Sequence, residues 1–164
     1  VWATGVHDLD RISAQRPRML GNGVKGQAAL FALDRRDFPQ LFADALHIIP
    51  HENGTVAVGS TSERDYDDAT STDAQLDDIV ARARQFLPQL QDAPILQKWA
   101  GVRPRSRSRA PVMGPHPLDP AAYILNGGFK IGLGMAPKMA HVMADLLLEG
   151  HDAIPDDFRP EASN

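Results

Sequence analysis

The sequence predicts an α+β fold: a mainly antiparallel sheet flanked by helices. Three stretches carry that prediction. Two β-branched runs, 45–50 and 55–61, flank His51-Glu52-Asn53-Gly54, whose Asn-Gly pair accepts the positive φ that tight hairpins demand. Leu76, Ile79, Val80, Ala83, Phe86, Leu87 and Leu90 then recur at three- and four-residue spacing, which places one buried stripe on a helix. A second helical pattern closes the chain, with Ala140, Met143, Ala144 and Leu147 on one face and Gly150 as its C-terminal cap.

Taken in order, Val1-Trp2-Ala3-Thr4-Gly5 reads as the end of a buried strand breaking at glycine, whose upstream partner is expected to lie outside these residues. Asp8 to Asn22 is polar and punctuated by Pro and Gly, as a connection would be. Residues 24–33 alternate weakly as a strand, with Gly26 allowing close backbone approach. Pro50 puts the end of the first hairpin strand at an edge or bulge. After an acidic turn region (63–71), Thr72 and Gln75 have capping-box spacing and Asp73 suits the positive helix end. Pro88 bends or ends that helix. Residues 98–102 and 122–126 are predicted strands. Met135-Ala136-Pro137 opens the last helix with proline at its first position, and the Pro- and acid-rich tail from Asp152 is expected to fray.

The 164 residues and 17.9 kDa suit a single core, and 43% hydrophobic against 23% charged residues excludes a disordered tail. No apolar run is expected to reach the ~20 residues that span a bilayer. The absence of cysteine removes disulfides, thiolate metal sites and a thiol nucleophile. A net charge of −4 argues against a nucleic-acid binder. The six histidines are scattered, so no metal site is expected. Ser60 and Ser62 lack the glycines of a nucleophile elbow.

Two segments remain as candidates for chemistry. Arginines alternate from Arg103 to Arg109 without interleaved aromatics, so the outer three read as a solvated loop. Arg103 ends the apolar run Trp99-Ala100-Gly101-Val102 and is followed by Pro104, a placement from which it can grip a carboxylate bidentately. Gly127-Gly128-Phe129-Lys130-Ile131-Gly132-Leu133-Gly134-Met135-Ala136-Pro137 runs into a helix, whose free amides and positive dipole end suit a phosphate or an electron-rich ring edge. A strand-to-helix turn that needs glycine for steric reasons explains the same residues equally well. The chain has no Walker loop, and the G-x-G-x-x-G spacing at Gly21, Gly23 and Gly26 runs into a predicted strand rather than a helix.

The ordered series Trp2-Ala3-Thr4-Gly5, Val24-Lys25-Gly26-Gln27, His47-Ile48-Ile49-Pro50-His51, Val58-Gly59-Ser60-Thr61, Trp99 to Pro104, Pro111-Val112-Met113-Gly114-Pro115, Gly127 to Pro137 and Met143 to Leu147 resembles the C-terminal half of the FAD-dependent D-amino-acid oxidase superfamily, glycine oxidase and the D-amino-acid dehydrogenase small subunit in particular. The resemblance covers roughly residues 1–150. It implies the end of an FAD-domain strand and a connection at 1–23, a substrate-binding domain at 24–121, a strand, glycine loop and helix returning to the FAD domain at 122–150, and a tail at 151–164. The dinucleotide-fingerprint half, with most FAD contacts, would lie outside the chain.

By the same resemblance, Arg103 binds the substrate carboxylate, and Gly5 and the loop Gly128, Phe129, Lys130, Ile131, Gly132, Leu133 and Gly134 face the flavin. Lys130 stands where relatives carry an arginine near the substrate carboxylate, and His47 where several carry a tyrosine; both depart from the pattern. The implied reaction is hydride transfer from the α-carbon of a D-amino acid, glycine or another amine to FAD, then hydrolysis of the imine. No catalytic acid or base and no metal is implied. The isolated fragment is expected to be inactive and FAD-free, to self-associate through exposed apolar surface, and to leave Val1–Gly5 and Gly127–Gly134 disordered or non-natively paired. The expected location is cytoplasmic, with membrane association on that face through an electron acceptor. A non-catalytic carboxylate-binding module, or a subunit completing a separate FAD-binding chain, are the alternatives.

Overall fold

Two strands of twelve residues, β1 (Gly21–Ala32) and β5 (Ile95–Ser106), organise the computed structural model, which describes residues 1–163. The chain separates into two compact units rather than the single core that its length suggests. One unit is Val24–Val102; the other joins Val1–Gly23 to the residues from Arg103 onward. Each boundary therefore falls inside one of the two long strands. Residues 103–121, grouped with 24–102 in the sequence reading, cluster with the terminal segments.

In the unit formed by residues 24–102, β2 (Leu41–Ala43), β3 (Leu46–Pro50) and β4 (Thr55–Gly59) join β1 and β5 in the order β2-β3-β4-β1-β5. The β3–β4 hairpin pairs Ile48 with Val58 and closes on Gly54 at φ 77°, as its Asn-Gly signal predicts. Antiparallel pairing of β1 with β4 sets Phe31 opposite Val56. Ala29, Phe31, Leu46, Ile48, Val56 and Val58 pack beneath α2 (Ala74–Phe86), which buries Leu76, Ile79, Val80 and Ala83. Each large side chain so buried contributes roughly 1.5–3 kcal/mol. Phe86, in the predicted stripe, is exposed.

Asp73, and not Thr72, caps α2: its carboxylate accepts the Gln75 amide at 2.9 Å. A buried partner explains the choice. The Gln27 side chain accepts the Asp73 amide at 2.8 Å and donates to Asp73 Oδ1 at 2.9 Å and to Glu63 Oε1 at 3.0 Å. Lys25, 2% exposed, sits 3.8 Å from Glu63 Oε2, and Thr61 Oγ1 donates to Glu63 Oε1. A long-range network selects the residue that starts the helix.

The other unit begins with a correction. Residues 6–13, predicted as the end of a strand and a connection, form α1 (Val6–Ser13), which buries Leu9 and Ile12 against Leu20, Val112 and Ile124. β6 (Val112–His116) and β7 (Asp119–Asn126) make an antiparallel pair. Trp2 joins β7 by one parallel bridge, donating to Tyr123 O at 2.7 Å and accepting from Leu125 N at 3.0 Å. Val1–Gly5 and Gly127–Gly134 are thus ordered here, the second as the turn Phe129–Ile131 and the start of α3 (Gly132–Glu149).

Helix α3 begins before Met135 and carries Pro137 inside it, so the proline forfeits one main-chain bond rather than opening the helix. Met139, Val142 and Met143 are its buried residues, packed with Met113 and Ile154; Ala140 and Leu147 are exposed. Gly150 ends it at φ 68°, as expected. The tail does not fray into irregular chain: Ile154 and Pro160 are buried, and Arg159 pairs with Asp152 at 2.9 Å. Residues Phe129–Glu149 also reach the length and mean hydropathy (1.2) of a membrane span, against the expectation that no such run exists.

Candidate functional site

The glycine loop and the two uncapped helix starts meet at one recess. Gly5 precedes α1 at φ 66° with no side-chain cap, and Ile131 precedes α3, also without one. Between them β7 ends at Asn126, followed by Gly127 at φ 73°. A depression of about 410 Å³ is lined by Ala3, Gly5, Pro104, Leu125, Asn126, Gly127, Gly128, Phe129, Gly132, Ala136, Met139 and Ala140. Its walls are small and largely apolar, and both Gly5, which precedes α1, and Gly132, which begins α3, line it.

The glycines have distinct reasons to be glycine. At Gly128 a Cβ would stand 2.8 Å from the Gly132 Cα, so the loop closes on itself only without a side chain. At Gly127 a Cβ would stand 3.2 Å from that of Ser106, at a positive φ. A Cβ on Gly5 or Gly132, by contrast, would meet nothing within 4 Å. Those two positions keep the recess open.

Of the residues singled out in the sequence, Gly5, Gly128, Phe129 and Gly132 are brought together in this recess; Lys130, Ile131, Leu133 and Gly134 do not line it. Ile131 is 51% and Leu133 97% exposed. Phe129, at φ 44°, has the Lys130 Nζ 5.7 Å and the Arg105 guanidinium 6.0 Å from its ring centre, so two cations attend the loop. Arg103 is half-buried on β5, one residue before the lining Pro104. An isolated bridge from Arg105 to Gly128 ties that strand end to the glycine loop. His47 belongs to the other unit: exposed on β3, it shares its Nδ1 with Gln40 Nε2 at 2.7 Å and stacks on Phe42 at 4.6 Å. Sequence reasoning missed Leu125, Asn126, Met139 and Ala140, although the four-residue spacing of Gly132, Ala136 and Ala140 marks one face of α3.

A glycine-walled recess at the head of a long helix suits a phosphate or an electron-rich ring edge. A family profile described as DAO, FAD dependent oxidoreductase, matches residues 1–146, and the chain belongs to that family. It is 34% identical over 140 residues to glycine oxidase from Pseudomonas putida, a match that covers 84% of this chain and 38% of that protein. Among solved structures, glycine oxidase from Bacillus cereus aligns with a TM-score of 0.70 at 27% identity, covering 80% of this chain and 37% of that one. L-proline dehydrogenase from P. horikoshii shares the fold, with a TM-score of 0.79 at 19% identity over 96% of this chain and 45% of its own. The chain thus spans about two fifths of the length of these proteins.

Proposed function

We propose that this chain is the substrate-side and flavin-facing part of an oxidoreductase that oxidises glycine or another small amino acid or amine. The observation that carries the reading is the recess, where two helix N-termini and an open glycine wall would hold FAD through Gly5, Gly127, Gly128 and Gly132. When bound, FAD supplies the acceptor for the two electrons that leave the substrate α-carbon.

The chain's own residues orient and polarise. The free amides at the start of α3 favour negative charge at the ring edge, and a low-dielectric wall of Ala136, Met139 and Ala140 strengthens that field. Arg103 grips the substrate carboxylate with its planar fork, and Lys130 adds a point charge to the same anion. His47 is proposed as a substrate-side group on the family resemblance alone, and His47→Tyr tests it through the amine preference. The isolated chain is expected to carry no FAD as purified, to bind added FAD only weakly and not to turn over, because the relatives it matches are much longer.

Titration of the purified chain with FAD, followed by absorbance between roughly 350 and 500 nm, tests the reading. Weak, saturable binding that Gly132→Val abolishes supports it. Supplying the rest of the coding region should then yield amine-dependent bleaching of the flavin, with KM raised and kcat little changed in Arg103→Lys. No saturable binding at any concentration overturns the assignment of the recess.

A further inference from the structure

We propose that Asn126 is a positioning residue for the flavin: its side chain clamps together the two glycine turns that begin α1 and α3. The proposal rests on the assignment of the recess to FAD. Asn126 is 6% exposed at the last position of β7. Its Nδ2 donates to the Gly5 carbonyl at 2.8 Å, and its Oδ1 accepts the Gly127 amide at 2.8 Å.

Both partners sit at positive φ, and both line the recess. One planar amide thus spans two turns that are far apart in sequence and holds them at a fixed separation. Neither helix has a side chain capping its start, so the first-turn amides of each are left for something else to accept from. The direction in which those amides point is set by the turns that precede them. Gly5 immediately precedes α1; Gly127 leads through Gly128, closed tightly on Gly132, into α3. An apolar side chain at 126 would satisfy the packing beside Leu125 but leave the Gly5 carbonyl and the Gly127 amide without this partner. The clamp therefore aligns two dipole ends on one ring edge, where they favour the reduced, negatively charged ring over the oxidised one.

The test compares the wild-type chain with Asn126→Leu and Asn126→Asp, using lumiflavin as the probe because it carries the ring without the adenylate half of FAD. Lumiflavin affinity is measured in the oxidised and reduced states, and exchange of the Gly127 amide is followed alongside. The wild type is expected to prefer the reduced ring. Asn126→Leu should lose that preference by several-fold and expose the Gly127 amide about tenfold more to exchange. Asn126→Asp should keep the Gly127 amide protected yet lose the preference, since the donor to Gly5 is gone. A purely structural role predicts that both affinities fall together with stability, their ratio unchanged; that result overturns the proposal. Normal wild-type binding with an unchanged ratio in both variants overturns the Asn126 clamp alone. No binding of either lumiflavin or FAD by the wild type overturns the recess assignment and the clamp's role with it.

Discussion

His116 Nε2 lies 3.1 Å from Asp8 Oδ2, and neither side chain has any exposed surface. The Leu118 amide donates to His116 Nδ1 at 3.1 Å, so the ring proton sits on Nε2 and points at the carboxylate. Arg11 reaches the other oxygen through Nε at 3.1 Å and NH2 at 3.0 Å, and its guanidinium stacks 4.4 Å over Trp2. An acid on α1, an imidazole on β6 and the first tryptophan are thereby joined in one cluster.

Removing the acid should unfasten α1. Asp8→Ala leaves a buried imidazole N–H without its acceptor, so a loss of roughly 1–3 kcal/mol is expected. Urea denaturation read by Trp2 fluorescence, in a Trp99→Phe background, measures it. An unchanged midpoint would show that the cluster contributes nothing to this unit.

Two glycines four residues apart should behave oppositely. Gly128→Ala drives a methyl to 2.8 Å from the Gly132 backbone, which no rotamer relieves, and a loss of about 1–3 kcal/mol is expected. Gly132→Ala meets nothing and should leave the melting temperature unchanged or slightly higher, since alanine favours the helix. Its methyl stands in the recess, so FAD binding should weaken instead. Paired melting curves and flavin titrations decide the matter; equal melting temperatures in the two variants would count against the tight closure.

Acid should weaken the 24–102 unit over a defined range. The Thr70 amide and hydroxyl, then Ser71, hold the Asp68 carboxyl down from 3.8 to about 2. Asp73 is lowered too, first by the Gln27 side-chain amide and then by the Gln75 amide. Both values are depressed in the folded state, so their stabilisation is complete above the ordinary value and fades as pH falls through the folded one. Stability should therefore decline from about pH 3.8 towards about pH 2. Asp73→Asn, which keeps the cap, should flatten part of that slope; an identical acid profile would refute the assignment.

The core of the same unit turns on Phe31, fully buried among Val56, Ile48 and Leu76, with the Arg84 guanidinium 5.9 Å from its ring centre. Phe31→Ala should lose about 3–5 kcal/mol, and Phe31→Leu far less. Calorimetry of the two variants checks the ordering.

What the sequence disclosed tracks which forces are local. The hairpin at 45–61 and the stripe of α2 are periodic patterns backed by turn chemistry, and both formed where expected. Helix α1 was hidden because one of its buried residues is a carboxylate, which registers as apolar-equivalent only once His116 is beside it. β6 was masked by Gly114 and Pro115, residues that read as breakers yet sit in a bulged two-stranded pair. Pro137 misdirected the start of α3 because packing of Met139 and Met143 outweighs one missing main-chain bond. In the site, glycines stood out as glycines, whereas Asn126 could not, since its task lies in a turn at the opposite end of the chain.

The division of the chain has a consequence for its birth on the ribosome. Residues 24–102 are contiguous and can complete their core as soon as they emerge. Leu9 and Ile12 have no such option, since Val112 and Ile124 are made only after the whole intervening unit. At ~5–20 residues per second, the nascent amphipathic segment waits a period on the order of seconds for Val112 and Ile124. Synthesis therefore exposes its apolar stripe to chaperones and to neighbouring nascent chains, and slow translation through residues 24–102 should raise the yield lost to aggregation.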